Sequence, residues 1–378
     1  MGFEQKALFR SFFMGGFECS SHRLKSGRRL DLIASTKHDR LALPDYRRLA
    51  EFGMRTVRDG IRWHLIEQRP NEYDFSSVSP MIRAAREAGV EVIWDLFHYG
   101  WPDDIKIFRP EFVTRFGRMA RAFAKVLREE METESNVFFC PTNEISFLSW
   151  AGGDAAFFNP FARKRGHELK CQLVRANIEA CEAVWEVIPN ARVCQVDPVI
   201  NIIADPKRPQ DGAEAEGYRM SQYQAWDMLG GRMAPELGGN PKYLDIVGVN
   251  YYSTNQWMHE SLTMNRFHPQ YKKFKLILEE VYAKYGRPIF IAETGVEDNE
   301  RAAWLEYMCG EARAAIGAGV PVEGLCWYPV VNYPGWNDNR HCPAGLWGYP
   351  RRDGSREIFE PLADEYQRQM QLEWRNKL

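Results

Sequence analysis

The chain has 378 residues, with 49 Lys and Arg against 51 Asp and Glu and a formal net charge of −2. So even a balance excludes a nucleic-acid or anionic-membrane partner held by bulk electrostatics, and no apolar run reaches membrane-spanning length. The length admits one large barrel or two ordinary domains, and the order of predicted elements has to decide.

The first predicted strand is Phe12–Gly16, followed by the polar cluster Glu18, Ser20, Ser21 and His22. Pro44 opens a helix carrying Tyr46, Leu49, Ala50 and Met54 at helical spacing. A second strand, 54–61, holds Arg58 near its end, and a helix from Asp74 stops at Gly89. Strand three, 90–97, runs into His98, and a helix over 111–130 leads to strand four, Val137–Cys140. That strand ends at Pro141 and delivers Thr142, Asn143 and Glu144. An aromatic loop, 150–160, precedes a helix over 169–184 and strand five, 191–197. Residues 198–239 read as a long loop with one helix near 214–229. Strand six, 244–250, runs into Tyr251 and Tyr252; a helix over 274–285 stops at Gly286. Strand seven, 287–292, delivers Glu293; a helix over 302–318, strand eight, 322–327, and a terminal helix from Phe359 complete the pattern.

Eight strands alternating with helices, without two-residue polar alternation, predict a single (β/α)₈ TIM barrel, one domain over residues 1–378. A doubly wound sheet is the alternative, but Gly15-Gly16 lacks the Gly-rich phosphate turn that such sheets carry. The N-terminal stretch carries neither a secretory nor a myristoylation pattern. The eight cysteines are scattered as reduced thiols would be, so a cytoplasmic location is expected.

In a parallel barrel the carboxyl ends of the strands surround a shared mouth where chemistry concentrates. Glu144 and Glu293 each follow a strongly apolar strand, remote from one another in sequence. Cleavage of a glycosidic bond needs two such groups, one donating a proton and one ionised toward the sugar carbon. Asn143 is placed to bond a sugar hydroxyl, and Arg58 to hold a carboxylate ionised. Glu18, Cys19 and His22, and likewise His341 and Cys342, lack ligand spacing for zinc, so no metal and no other cofactor is expected.

These residues resemble a family. Thr142-Asn143-Glu144 is similar to the acid/base motif of family 1 glycoside hydrolases and their clan of retaining barrel enzymes, and Ile291–Gly295 to their nucleophile strand. The segments around Arg58, Leu96–Pro102, Val247–Tyr252 and Trp327 with Asn332-Tyr333 resemble further motifs of that family, in the same order. The resemblance implies a retaining β-glycosidase with Glu144 as general acid/base and Glu293 as nucleophile. It implies that His98 binds a sugar hydroxyl, that Arg58 and Tyr252 lie beside the nucleophile, and that Trp327 floors the sugar. The chain departs from the family pattern at strand one, where His22, with Glu18 nearby, stands in place of a Gln. It departs again after strand eight, where an acidic residue is missing and Trp336 or Asp338 is left to substitute. For Trp327 and Trp336, core packing and sugar stacking both remain open. The implied partner is a carbohydrate. The alternatives are a related barrel glycosidase or transglycosylase of other glycone specificity, or a catalytically silent sugar-binding barrel.

Overall fold

A computed structural model of the protein describes residues 7–131, 136–336 and 340–374. Eight parallel strands close into a barrel: β1 (Phe13–Gly16), β2 (Thr56–Gly60), β3 (Glu91–Asp95), β4 (Phe138–Cys140), β5 (Arg192–Pro198), β6 (Ile246–Asn250), β7 (Ile289–Thr294) and β8 (Val322–Trp327). Each pairs with its sequence neighbours, and β8 closes on β1. The long helices outside it are α1 (His38–Glu51), α2 (Ser79–Ala88), α3 (Pro110–Glu130), α4 (Gly166–Trp185), α5 (Phe274–Tyr285), α6 (Arg301–Gly317) and α7 (Glu360–Met370). The fold is the expected (β/α)₈ barrel. Among the described residues no helix is long and apolar enough to cross a membrane.

Alternation along the strands splits the core in two, because successive side chains point to opposite faces. Met14, Ile93, Phe138, Cys140, Cys194, Val196, Ile246, Phe290, Ala292, Cys326 and Tyr328 fill the barrel interior as one buried cluster. Phe9 plugs its amino end, with ring centroids 4.9 Å from Phe138 and 5.4 Å from Phe290. The opposite parity packs the barrel against the helices in a second, larger cluster.

Several segments differ from expectation. The first long helix begins at His38 and contains Pro44, but Leu41 (φ −115°, ψ 18°) breaks it one turn earlier. Pro44 therefore lies just beyond a kink, where its missing N–H is tolerated. The aromatic loop after β4 contains a helical turn, Ile145–Leu148, and a wider one, Ser149–Asp154. Residues 198–239 hold two helices, Gly212–Met220 and Gln224–Leu229, and a strand, Asn201–Ile203, paired in parallel with Gln256–Met258. Such short paired segments are too brief to leave a periodic signal.

Candidate active site

The carboxyl ends of the strands bring most of the expected residues together, and a bulge aims the key one. Phe290 and Ala292 face the barrel interior, so strict alternation would turn Glu293 outward. The β6–β7 register slips at this point, Val249 opposing Ile291 while Asn250 opposes Glu293. One extra residue on β7 rotates Glu293 into the mouth, as bulges beside active sites do.

Arg58, on β2 and fully buried, organises the floor. Its Nη1 donates to Glu293 Oε1 at 2.6 Å, its Nη2 to Asp95 Oδ2 at 2.7 Å and to Asn143 Oδ1 at 2.5 Å. Tyr252 donates its hydroxyl to Glu293 Oε2 at 2.8 Å. Each Glu293 oxygen thus accepts a hydrogen bond from a side chain anchored on a neighbouring element. Burial works against the Asp95 carboxylate, but Arg58 and His98 together outweigh it and hold Asp95 below the usual range.

Glu144 lies in a different environment. It is buried, with φ 48° and ψ 63°. A left-handed conformation for a residue other than glycine costs about 1–3 kcal/mol and persists only where the surroundings enforce it. Here its backbone N–H is tied to the Val196 carbonyl at 3.1 Å. Tyr99, itself at φ 64°, donates its hydroxyl to Glu144 Oε2, and Asn250 Nδ2 donates to Oε1 at 2.8 Å. Burial, reinforced by the charge of Glu293, raises the Glu144 pKa to about 8 against these two donors. The side-chain oxygen of Asn250, Oδ1, is buried without a hydrogen-bond partner among the described residues. A half-turn of that amide lets Oδ1 accept a hydrogen bond from the O–H of the neutral carboxyl instead. The two glutamates thus sit in unlike surroundings: Glu144 is raised by burial and by the charge of Glu293, while Glu293 is bonded to a guanidinium and a hydroxyl.

The wall toward β1 holds Glu18 and His98. His98 Nδ1 lies 3.0 Å from Asp95 Oδ2 and 3.2 Å from Cys19 Sγ; its Nε2 lies 3.2 Å from Asn143 Nδ2 and 3.7 Å from Glu18 Oε1. Glu18 accepts from the Ser20 N–H at 3.0 Å, and burial raises its pKa. Close approach here depends on Gly60, where a β-carbon would lie 2.5 Å from Cys19 Sγ. Cys19, Asp95 and His98 offer ligand atoms within 4.8 Å of one another. Asp95 already carries the fixed cation of Arg58, whose charge a metal ion would face, so the donor set does not favour one.

Two expected sugar contacts are corrected. Trp327 is fully buried and donates its indole N–H to the Ala344 carbonyl at 2.8 Å. Alternation turns it outward toward α7, while its neighbour Tyr328 faces in, stacked over His98 with centroids 6.0 Å apart. His22 is 1% exposed with both ring nitrogens engaged, Nδ1 with Ser20 Oγ at 2.7 Å and Nε2 with the Trp336 carbonyl at 3.3 Å. It braces the wall instead of presenting a nitrogen to a ligand. Trp336 does line the mouth, among Tyr99, Phe147 and Phe158 at 5.5–5.9 Å. Among the described residues its buried indole nitrogen has no partner at full hydrogen-bond geometry, though Trp336 stands close enough to Glu18 to lower that carboxyl's pKa. Asp338 lies outside the described residues.

Sequence reasoning missed Tyr99, Asn250, Asp95 and Tyr328 as site residues. Tyr99 and Asn250 lie inside segments it had already singled out, 96–102 and 247–252, and Asp95 directly precedes the first of them. Adjacency to a motif at a strand's carboxyl end was the available signal.

No family model matches the sequence, and no curated protein matches it. Solved structures do resemble the fold. A β-glucosidase from Thermotoga maritima in complex with glucoimidazole aligns with TM-score 0.77 at 16% identity, covering 96% of this chain and 98% of that one. A family 1 β-glucosidase from Thermotoga maritima gives 0.76 at 16%, covering 97% and 100%. The AHE enzyme from Alicyclobacillus herbarius gives 0.79 at 15%, covering 98% and 99%. At such identities the likeness is one of fold.

Proposed function

We propose that this protein is a retaining β-glycosidase, a single-domain enzyme that hydrolyses β-linked glycosides by double displacement. Glu144 is the general acid/base and Glu293 the nucleophile. The observation that carries this reading is the unlike setting of the two carboxyls. Glu144 is held neutral near pH 7 by burial and by the charge of Glu293, whereas Glu293 is gripped by the Arg58 guanidinium and the Tyr252 hydroxyl.

In the first step Glu293 attacks the anomeric carbon while Glu144 gives its proton to the departing oxygen. Arg58 and Tyr252 fix the attacking carboxylate without neutralising it by proton transfer. In the second step Glu144, now ionised, removes a proton from water, which displaces Glu293 and restores both groups. Asn143, His98 and Glu18 line the side where sugar hydroxyls are held. All of this runs on protein carboxyls and water. The fold shared with β-glucosidases of known structure agrees with the reading.

An activated 2-fluoro glycoside slows both steps but the second more, so the glycosyl-enzyme accumulates. Peptide mapping is expected to find the label on Glu293. Label on another residue, with Glu293 unmodified, overturns the assignment of nucleophile and of stereochemistry together.

A further inference from the structure

A carboxyl at the head of a helical turn has a competing use. The turn Ile145–Leu148 leaves its first N–H groups without partners of its own, and side-chain oxygens of the preceding residue commonly accept one of them. Glu144 is that preceding residue, and its side chain accepts none. The capping role falls to another strand. Asp197, on β5, accepts the Ser146 N–H at 3.0 Å on Oδ1 and the Ser146 hydroxyl at 2.7 Å on Oδ2. The Glu144 carboxyl is thereby left to reach Tyr99 and Asn250.

The backbone around Glu144 is held at three points. The Asn143 N–H donates to the Phe97 carbonyl at 2.9 Å, the Glu144 N–H to the Val196 carbonyl at 3.1 Å, and the Ser146 N–H to Asp197. Of these acceptors only Asp197 is a side chain, so it is the one a substitution can remove. Val196 and Asp197 are successive residues of β5, and between them they hold the left-handed residue and the turn that follows it. A left-handed conformation relaxes unless its surroundings enforce it. Val196 belongs to the barrel interior, so alternation turns Asp197 outward, where the Lys170 ammonium of α4 is near enough to act on it. Asp197 is buried on that side and works through the turn, not on a substrate.

We infer that Asp197 is the positioning residue of the acid/base: by capping the turn in place of Glu144, it keeps that residue left-handed and its carboxyl turned to the mouth. Resting on the proposed glycosidase reading, this assignment adds to it a residue that the reacting atoms never touch. The charge of Asp197 has a second effect, of known sign. Glu144 is faced by Glu293 from β7, Tyr99 from the segment after β3, Asn250 from β6 and Asp197 from β5. Burial is the first cause of its raised pKa, and the charges of Glu293 and then Asp197 add to it. Burial also raises Asp197 itself to about 7, against the Ser146 bonds and the Lys170 charge, so Asp197 is largely ionised where Glu144 titrates, at about 8.

The test compares kcat/KM for the phenyl and 2,4-dinitrophenyl β-glycosides of glucose, galactose and mannose. Phenoxide needs a proton as it leaves and dinitrophenolate does not, so the phenyl-to-dinitrophenyl ratio reports how well Glu144 is placed. Asp197→Ala is expected to lower that ratio about 10–100-fold, the scale of a misplaced catalytic group. Ser146→Ala, which keeps the backbone bond, is expected to lower it by a smaller factor. Asp197→Asn keeps an acceptor for Ser146 without the charge. It should preserve most of the ratio and move the basic limb of kcat/KM for the phenyl glycoside to lower pH. A ratio unmoved in both alanine variants overturns the inference and leaves the glycosidase reading standing. So does an equal loss toward both substrates, the mark of a merely structural role. Where Asp197→Ala does not fold, Asp197→Asn decides, and a limb that stays in place or moves up overturns the inference. A parent protein that cleaves none of these glycosides overturns the proposed function, and this inference with it.

Discussion

Arg58 and Glu293, 235 residues apart in the chain, meet at 2.6 Å across the barrel floor, and the same guanidinium grips Asp95 and Asn143. Three strands and the segment after a fourth thus converge on one planar cation. Its fork matches carboxylate geometry in a way an ammonium does not.

Removing that cation leaves Asp95 and Glu293 buried without their counter-charge. Arg58→Met is expected to cost about 3–5 kcal/mol of stability, the usual penalty for breaking a buried pair. Glycosidase turnover is expected to fall at least ~100-fold, as for lost preorganised electrostatics. Arg58→Lys restores charge but not the fork, so it should recover stability better than turnover. Thermal melts beside steady-state kinetics check this; equal recovery of both would show that charge alone matters.

The raised pKa of Glu144 makes two further outcomes calculable. In the proposed mechanism protonated Glu144 is the competent form for the first step, so kcat/KM should fall as pH rises through about 8. The Tyr99 hydroxyl bonds the ionised form and lowers this pKa, so Tyr99→Phe should move the basic limb to higher pH. A limb that stays in place, or moves down, contradicts the assignment.

The same shift bears on stability. Glu144 keeps its proton in the folded state up to about 8, whereas the unfolded chain releases it near the ordinary value of 4.5. Between those limits the folded state binds more protons, so stability declines as pH rises. Glu144→Gln removes that linkage, and the unpartnered Asn250 Oδ1 can turn to accept from the new amide. The variant should match the parent's melting temperature near pH 4 and exceed it near pH 8, while losing glycosidase activity. Parallel melting curves across that range would disprove the linkage.

How far the sequence carried depended on which physics each feature obeyed. The β7 strand and its Glu293 were legible because a fully buried strand reads as a continuous apolar run. The direction of Glu293 was not, since the bulge that turns it depends on register with β6. Trp327 shows the opposite case. Its strand matches the expected bounds, yet the resemblance implied a sugar floor and the residues left core packing open, where alternation counted from the inward Cys326 turns the side chain outward. The long segment after β5 stayed unreadable because its helices and short ribbon are fixed by packing on the barrel, not by local periodicity.

Trp327 accordingly offers a direct check on orientation. Trp327→Phe loses the bond to Ala344 and part of a well-packed volume, for an expected cost of about 1–3 kcal/mol. Because the indole is fully buried and bonded to the Ala344 carbonyl, KM for a good glycoside should change less than about twofold, as expected when no substrate contact is lost. A large rise in KM with an unchanged melting temperature would return Trp327 to the sugar floor.

His38 sits in a buried network between α1 and β2. Its Nδ1 lies 2.9 Å from Asp45 Oδ2 and its Nε2 2.8 Å from Asp59 Oδ2, while its ring stacks on Phe17 at 3.5 Å. Arg356 binds Asp45 from the C-terminal side through Nε at 2.8 Å and Nη2 at 3.0 Å, so the cluster ties α1 and β2 to the end of the chain. Burial pulls the His38 pKa down, but Asp59 and Asp45 together carry it up to about 9. A pKa raised on folding means that the stabilisation is complete below the ordinary value of 6.5 and is lost as pH climbs through about 9. His38→Gln keeps hydrogen-bonding capacity without the charge. The melting temperature of the parent should therefore exceed that of the variant by most at pH 6, and the gap should narrow steadily toward pH 10. A gap of constant size across that range would mean that His38 is neutral in the fold and that shape, not charge, holds the network together.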